Sequence, residues 1–441
     1  MACRGPQHIR FSRPILSADS LGRFCLLILS AERISKQNRL VSGPGGDRTV
    51  TGTADDWRRY DVVQVEMTEN IMSIELGVDL AECRQRQTKL LAWMQEERVD
   101  RVILTTNQHI QYLFGPRFAW TFAAAAVLNA DGTSLVIAPH AEPAVCAADR
   151  VDVYKPKMLS TMRNDQAALA AQALSNSLGG RITAGRLGVE FSAYWQHLSA
   201  FHSAEMVDIE PVLFQLRRRK SPDELAKIRM AIHGTGVMYE VARGIIRPGI
   251  SELEVYNTLQ AAANEAFGEP MTATGNDYQV NSRGGGPRSN VVAQAGQLYI
   301  LDLGPAYRGY FADNARTIAV TKVSSEQQAA WNKIQEVFQM IESDVKPGVR
   351  CREIFDRAQM ILDQAEVGVF NHHLGHGIGL FPHEGPHLNP NWDDVFEVGD
   401  VFTAEPGLYA DTLQAGMRLE NDYLVTESGV ENLSPFPLEL K

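Results

Sequence analysis

From about residue 78 the apolar positions follow helical and strand periods in turn. Leu80, Leu90, Leu91 and Met94 recur on one side of a 3.6-residue period, which predicts an amphipathic helix. Val102–Thr106 reads as a strand, and Gln111-Tyr-Leu-Phe-Gly115 follows it. Ala123–Leu128 and Ser134–Ile137 flank Asn129-Ala-Asp-Gly132, a turn sequence, so the segment predicts a β-hairpin. A helix is expected over 164–177 and a strand over 186–191. Helices alternating with strands as far as about 215 predict a small α/β domain.

A second region begins near Leu216. Ser221-Pro-Asp-Glu224 has the form of a helix start, with Ser221 as cap, Pro222 at the first helical position and Glu224 closing a capping box. The basic run Arg217–Lys220 just before it is expected to be a solvated hinge between domains. Arg247-Pro-Gly-Ile250 and Lys346-Pro-Gly-Val349 each break one helix and launch another.

The strands of this region repeat. Gly296-Gln-Leu-Tyr-Ile-Leu-Asp302 and Gly399-Asp-Val-Phe-Thr-Ala-Glu405 share a glycine turn, an apolar strand and a terminal carboxylate. Each carboxylate is followed by another, Asp313 and Glu420. Two similar halves about an approximate two-fold are expected, each offering two acids. A buried carboxylate is costly unless paired or metal-bound. Four converging carboxylates repel one another, and two divalent cations would cancel their charge.

Between 372 and 387 the chain places five histidines, His372, His373, His376, His383 and His387, among glycines that disfavour a helix. A strand or irregular loop is expected there. A mixed oxygen and nitrogen donor set suits manganese, iron, cobalt or zinc better than calcium.

The wider composition narrows the partners. The chain has 441 residues, 44% hydrophobic and 22% charged, enough for two or three domains. A net charge of -11 argues against a general nucleic-acid binder. Five dispersed cysteines with no CxxC pair argue against a disulfide scaffold or a cysteine zinc site, and fit a cytoplasmic setting. No apolar run reaches the roughly 18 residues that would span a bilayer, so no membrane partner is expected. Phe24–Ala31 is short for a secretion signal, and the polar, glycine-rich Ser42–Asp56 lies in a segment, 1–60, expected to be poorly ordered.

Over about 216–435 the chain resembles the creatinase/prolidase/methionine aminopeptidase (M24) family, whose catalytic domain has the pita-bread fold. Asp302-Leu-Gly304 with Tyr310–Thr317 resembles its paired-aspartate segment, and His376–Leu380 with His383-Glu384 its histidine segment. Glu405–Tyr409 and Gly416–Asp422 resemble its two glutamate segments. The resemblance implies metal ligands Asp302, Asp313, His376, Glu405 and Glu420, with Asp313 and Glu420 bridging two divalent ions, manganese foremost and cobalt, zinc or iron as alternatives. It implies that His383 faces the substrate, that His372 lines its pocket, that Arg418 steadies the site, with Tyr409 a weaker candidate, and that Glu405 or a metal hydroxide handles the attacking proton. It further implies an α/β N-terminal domain over 61–215 before a pita-bread domain over 216–441, a homodimer, and cleavage before proline in a small peptide.

Two positions depart from the family pattern. The loop Thr274–Arg288 contains no histidine where many members have one facing the substrate, and offers Asn276, Asn281 and Arg283 instead. Ala315 stands where many have threonine. The arginine, which favours an anion, keeps open a non-peptide C–N hydrolase of creatinase or ectoine-derivative type, or a lyase. A binding module without catalysis is disfavoured by the complete ligand set.

Overall fold

The computed structural model describes residues 76–180, 185–193, 197–198 and 205–441. The segment 1–60 and the apolar run 24–31 lie outside the described residues.

The N-terminal part opens with α1 (Leu80–Glu96), whose cap Asp79 accepts from the backbone N–H groups of Ala81 and Glu82. Then come β1 (Arg101–Leu104), α2 (Asn107–Phe114), β2 (Ala125–Asn129), β3 (Ser134–Pro139) and β4 (Arg150–Tyr154). The short hairpin β5 (Lys157–Met158) and β6 (Thr161–Met162) precedes α3 (Gln166–Ser177), β7 (Arg186–Val189) and β8 (Glu205–Asp208). The long strands form one mixed sheet in the order β4-β3-β2-β1-β7-β8. The expected hairpin is present as β2 and β3, paired from Ala125↔Ile137 to Leu128↔Ser134. Gln111–Phe114 lies in α2, where Tyr112, Leu113 and Phe114 are buried.

Helix α4 (Glu210–Arg218) leads into α5 (Pro222–Ile245) and α6 (Glu252–Phe267). At the start of α5 the Ser221 N–H donates to Glu224 Oε2 at 3.1 Å, as the capping signature requires. The Ser221 hydroxyl lies 2.8 Å from both the Asp223 and the Glu224 carboxylate and donates its one proton between them. The basic run is not a solvated hinge. Arg217 and Arg218 are buried, and the Lys220 ammonium is shielded; Arg219 alone faces solvent. Burial is tolerated because acids distant in sequence meet these cations: Arg218 Nη2 donates to Asp400 at 2.6 Å, and Arg217 and Lys220 both bind Glu384.

Two halves then repeat helix pair and strand pair. In the first, α5 and α6 precede β9 (Asn276–Asp277), β10 (Leu298–Leu303), the small hairpin β11 (Ala306–Tyr307) and β12 (Tyr310–Phe311), and β13 (Asn314–Ala319). In the second, α7 (Ser325–Asp344) and α8 (Cys351–Leu362) precede β14 (Gly375–Gly377), β15 (Glu384–Leu388), β16 (Val401–Ala404), β17 (Gly407–Leu408), β18 (Met417–Arg418), β19 (Asn421–Val425) and β20 (Val430–Asn432). Strands β10 and β13 pair antiparallel, as do β16 and β19. Gly296 and Gly399, which open the equivalent strands, both take left-handed φ, +86° and +92°, a conformation that costs other residues more. The halves are stitched where β13 meets the segment before β19: Glu420 N–H donates to Ala315 O at 2.9 Å, and Arg418 N–H to Thr317 Oγ1 at 3.1 Å. This is an α/β N-terminal domain followed by a pita-bread domain with an internal repeat.

The packing behind these strands is apolar and continuous. One core runs from Leu90 and Tyr112 through Ile228 and Met238 to Tyr299 and Leu301. A second joins α7 and α8 to Phe402, Leu419 and Tyr423. Each large side chain buried there stabilises the fold by roughly 1.5–3 kcal/mol. The Tyr239 hydroxyl on α5 shares its proton between the backbone oxygens of Asn314 (2.5 Å) and Leu301 (3.1 Å), fixing the helix to the back of β10 and β13.

Candidate metal centre

The strand pairs deliver carboxylates to one place. Asp302 lies within β10, Asp313 immediately precedes β13, Glu405 immediately follows β16, Glu420 immediately precedes β19 and His376 is central in β14. All five are less than a tenth exposed: 7%, 4%, 8%, 1% and 3% in that order. Asp302, Asp313 and Glu420 bring one oxygen each within 4.8 Å of the others, and so do His376, Glu405 and Glu420 with their ligand atoms. Glu420 is thus common to a three-carboxylate set and a mixed set. His376 Nε2 stands 3.8 Å from both Asp313 and Glu405.

His376 is held by the sequence around it. Its Nδ1 donates to Gly377 O at 3.1 Å, which leaves the Nε2 lone pair directed at the acids. Side chains at positions 375 and 377 have no room. A Cβ on Gly375 would lie 2.0 Å from Thr403 O, and one on Gly377 2.0 Å from Gly385 O. The glycines therefore let β14 press between β15 and β16.

Burial and mutual repulsion set the charge state. Burial first, then neighbouring Asp302 and Asp422, pushes the Asp313 carboxyl well above its usual range. Burial and then Asp313 and Asp302 do the same to Glu420. Asp302 is also raised by burial, against the opposing pull of Arg418. Glu405 behaves differently. Burial would raise it, but His373, bonded at 2.6 Å, with His376 and His372 holds it down at about 2. Burial depresses His376 and His372 to about 4, so both imidazoles are neutral at neutral pH.

This donor set fits divalent cations on observations internal to the structure. Glu420 Oε2 is buried with no hydrogen-bond partner among the described residues, an arrangement that costs free energy unless something else satisfies it. Burial and mutual repulsion raise the carboxyls around it, a cost that bound divalent cations would relieve. The imidazole beside them presents a lone pair.

The remaining candidates ring this cluster. Arg418 Nη2 donates to Asp302 Oδ2 at 2.7 Å and to Asp277. Its backbone segment is fixed by Thr317, whose hydroxyl donates to Arg418 O. His372 Nδ1 donates to His373 O at 2.7 Å, so its Nε2 accepts from the Tyr409 hydroxyl at 2.9 Å. The His383 ring stacks on His376, 3.7 Å between centroids and 13° between planes. Arg283 lies over the Tyr409 ring at 3.8 Å and donates to Asn371 at 2.7 Å. Beside the cluster, His372 and His373 line an open cleft of about 340 Å³ with Phe355, Asn371, Asn389 and Pro390.

Three contributors escaped sequence reasoning. His373 belongs to the histidine run, but nothing local distinguishes it as the partner of Glu405. Asp277 is the only acid in the loop Thr274–Arg288, a signal that its pairing with Arg418 makes intelligible afterwards. Asp422, fully buried, accepts from the Asp313 N–H at 3.4 Å, and its place two residues after Glu420 carries no sequence signal of its own.

Residues 226–427 match the model of metallopeptidase family M24, and residues 86–219 that of the creatinase/prolidase N-terminal domain. An uncharacterized peptidase of Staphylococcus aureus (strain MW2) is 32% identical over 248 residues, 55% of this chain and 69% of the relative. Among solved structures, the prolidase from Pyrococcus horikoshii OT3 has a similar fold, with TM-score 0.69, 22% identity, and coverage of 81% of this chain and 100% of that one. The Xaa-Pro dipeptidase from Bacillus anthracis aligns with TM-score 0.68, 24% identity, and coverage of 82% and 99%. Two matched domains in the expected order, and a relative this similar over most of its length, make the chain a member of metallopeptidase family M24.

Proposed function

We propose that this chain is a metal-dependent Xaa-Pro peptidase that hydrolyses the bond before proline in small peptides. The observation that supports it most is the meeting of Asp302, Asp313, Glu405, Glu420 and His376 around Glu420, in a protein whose fold is similar to prolidase and Xaa-Pro dipeptidase structures.

Asp302 would chelate one ion, His376 and Glu405 would complete the other, and Asp313 and Glu420 would bridge them. When bound, two divalent cations supply a water of lowered pKa and a Lewis acid for the scissile carbonyl. The protein's own groups do the rest. Glu405, a carboxylate at neutral pH, would accept the proton of the attacking water on an oxygen. His383, depressed by burial and by His373, is neutral and donates a hydrogen bond to the charge developing on the carbonyl oxygen. His372, fixed by Tyr409, lines the pocket. Arg418 holds Asp302 in orientation through its guanidinium. The C–N bond then breaks, and the departing proline nitrogen takes up the proton. Manganese is the preferred ion, and a cytoplasmic homodimer built from domains over 61–215 and 216–441 belongs to the same reading.

The test is purified protein with manganese or cobalt against dipeptides and tripeptides with proline at the second position. Metal-dependent cleavage before proline is expected, and its absence across the panel overturns the reading. A second reading, non-peptide C–N hydrolysis of a small anionic compound, is favoured by Arg283, which pairs with no carboxylate among the described residues and faces the site beside Tyr409. Turnover of amidines or amides bearing a carboxylate, with no peptide cleavage, would select it.

A further inference from the structure

A buried polar chain links the N-terminal sheet to the loop carrying His383. Glu190, just past β7, takes hydrogen bonds on Oε2 from Thr105 N–H (2.7 Å), the Thr105 hydroxyl (2.9 Å) and Thr106 N–H (3.1 Å). Its other oxygen meets His109 Nδ1 at 2.5 Å. His109 Nε2 meets Arg217 Nη1 at 2.8 Å, and Arg217 Nη2 binds Glu384 Oε1. Glu384 is the residue after His383. The Glu190, His109 and Arg217 side chains are 0%, 2% and 3% exposed, so water cannot substitute for any link.

The direction of each bond follows from its donors. Arginine has only donors, so His109 Nε2 accepts, and the ring proton lies on Nδ1 toward Glu190. Both nitrogens of a neutral imidazole are then satisfied, and its plane is fixed. The far end is fixed as well. Glu384 Oε1 accepts from Phe381 N–H at 3.0 Å, Arg217 lies over the Phe381 ring at 4.5 Å, and Lys220 Nζ reaches Glu384 Oε2 at 3.4 Å. The turn from Gly379 to Glu384 is thereby clamped at the base of His383. The stacking of His383 on His376 depends on where that turn holds its backbone.

We propose that Glu190, His109 and Arg217 are positioning residues, through which the N-terminal domain sets the place of His383. The inference rests on the proposed role of His383 in peptide hydrolysis. None of the three touches the carboxylate cluster, so they act by orienting a group that does. A misplaced His383 would weaken a contact made in the transition state, lowering kcat and leaving substrate affinity nearly intact.

The test uses the full chain and the nearly isosteric Glu190→Gln. Its amide can still accept from His109, but then turns an NH2 group toward the donors of Thr105 and Thr106. The expected loss is about 10- to 100-fold in kcat, with KM changed less than about twofold. In a His383→Ala background the same substitution should cost less than about twofold, because its target is gone. Equal losses in both backgrounds would overturn the proposal. Backbone hydrogen exchange of the metal-free protein gives a second readout, independent of turnover. Peptides covering 378–385 should exchange faster in Glu190→Gln, while those of β10 and β13 stay unchanged; no change at 378–385 would also overturn it. If Glu190→Gln fails to fold, Thr105→Val, which removes a single donor, carries both measurements. Wild-type protein inactive on proline peptides defeats the proposed function, and the exchange measurement still decides the positioning claim.

Discussion

Two of the buried clusters of charge solve the same problem in opposite ways. At the domain junction, Glu384 and Asp400 face Arg217, Arg218 and Lys220, with acid and base in contact. At the candidate metal centre, Asp302, Asp313, Glu405 and Glu420 crowd together, and one guanidinium, that of Arg418, binds Asp302. The acids respond accordingly. Glu384 is held below its ordinary range against the pull of burial, by Arg217 and Lys220, and Glu190 likewise by His109. Asp313 and Glu420 are driven well above theirs. Burial is common to both regions, so counter-charge decides. Asp400 marks the boundary: burial raises it despite the bound Arg218. The junction acids are balanced by the protein's own cations, whereas the acids of the candidate centre are ones that bound metal would balance.

The sharpest way to break this contrast is Asp313→Asn. Turnover and metal affinity should fall by more than the roughly 100-fold that loss of an outer-shell partner costs, because Asp313 is proposed to hold both ions. The chelated variant should melt at or above the chelated parent, since one repelling acid is gone. A variant that binds metal and turns over normally removes Asp313 from the site. Arg217→Ala comes next. It leaves Glu384 buried with its main partner missing, and should destabilise by about 3–5 kcal/mol in urea unfolding. A change under about 1 kcal/mol would mean that the junction pairs are not coupled to folding.

Acidity should act with opposite sign on Asp313 and Glu420 and on the lowered junction acids. Asp313 and Glu420 have raised folded values, so their contribution is complete below the ordinary 3.8 and 4.5 and is lost as pH rises through those raised values. Glu384 and Glu190 are lowered, so theirs is present above 4.5 and lost as pH falls. Chelated protein should therefore lose stability relative to metal-saturated protein as pH rises above the ordinary carboxylate range, by about 1.4 kcal/mol per pH unit for each proton that the folded chain binds and the unfolded chain does not. Parallel melting curves would refute the unbalanced centre. The smallest effect is expected at Arg219, exposed beside Glu397: alanine there should shift stability by less than about 0.5 kcal/mol.

The contrast also explains what was legible in the sequence. The capping signature at Ser221 and the β2–β3 hairpin are local, and short-range pattern suffices for them. The repeat of strand and carboxylate was legible because it recurs at one interval, and the resemblance named all five residues that the fold brings together. The junction was misread because its meaning is non-local. Arg217 looks solvated until Glu384, 167 residues away, is placed against it. His373 and Asp277 were missed for a related reason: each is an ordinary polar residue until a long-range partner gives it a role.

Gly375 and Gly377 carry a consequence for mutational surveys. A saturation library scored on activity would find these two positions as intolerant as His376 between them, although neither offers an atom to the chemistry. Alanine at either one forces β14 away from its neighbours and moves the imidazole without altering it. A tolerance map of this chain would therefore outline the space the strand needs along with the groups that react, and the two can be told apart only by asking what each side chain would strike.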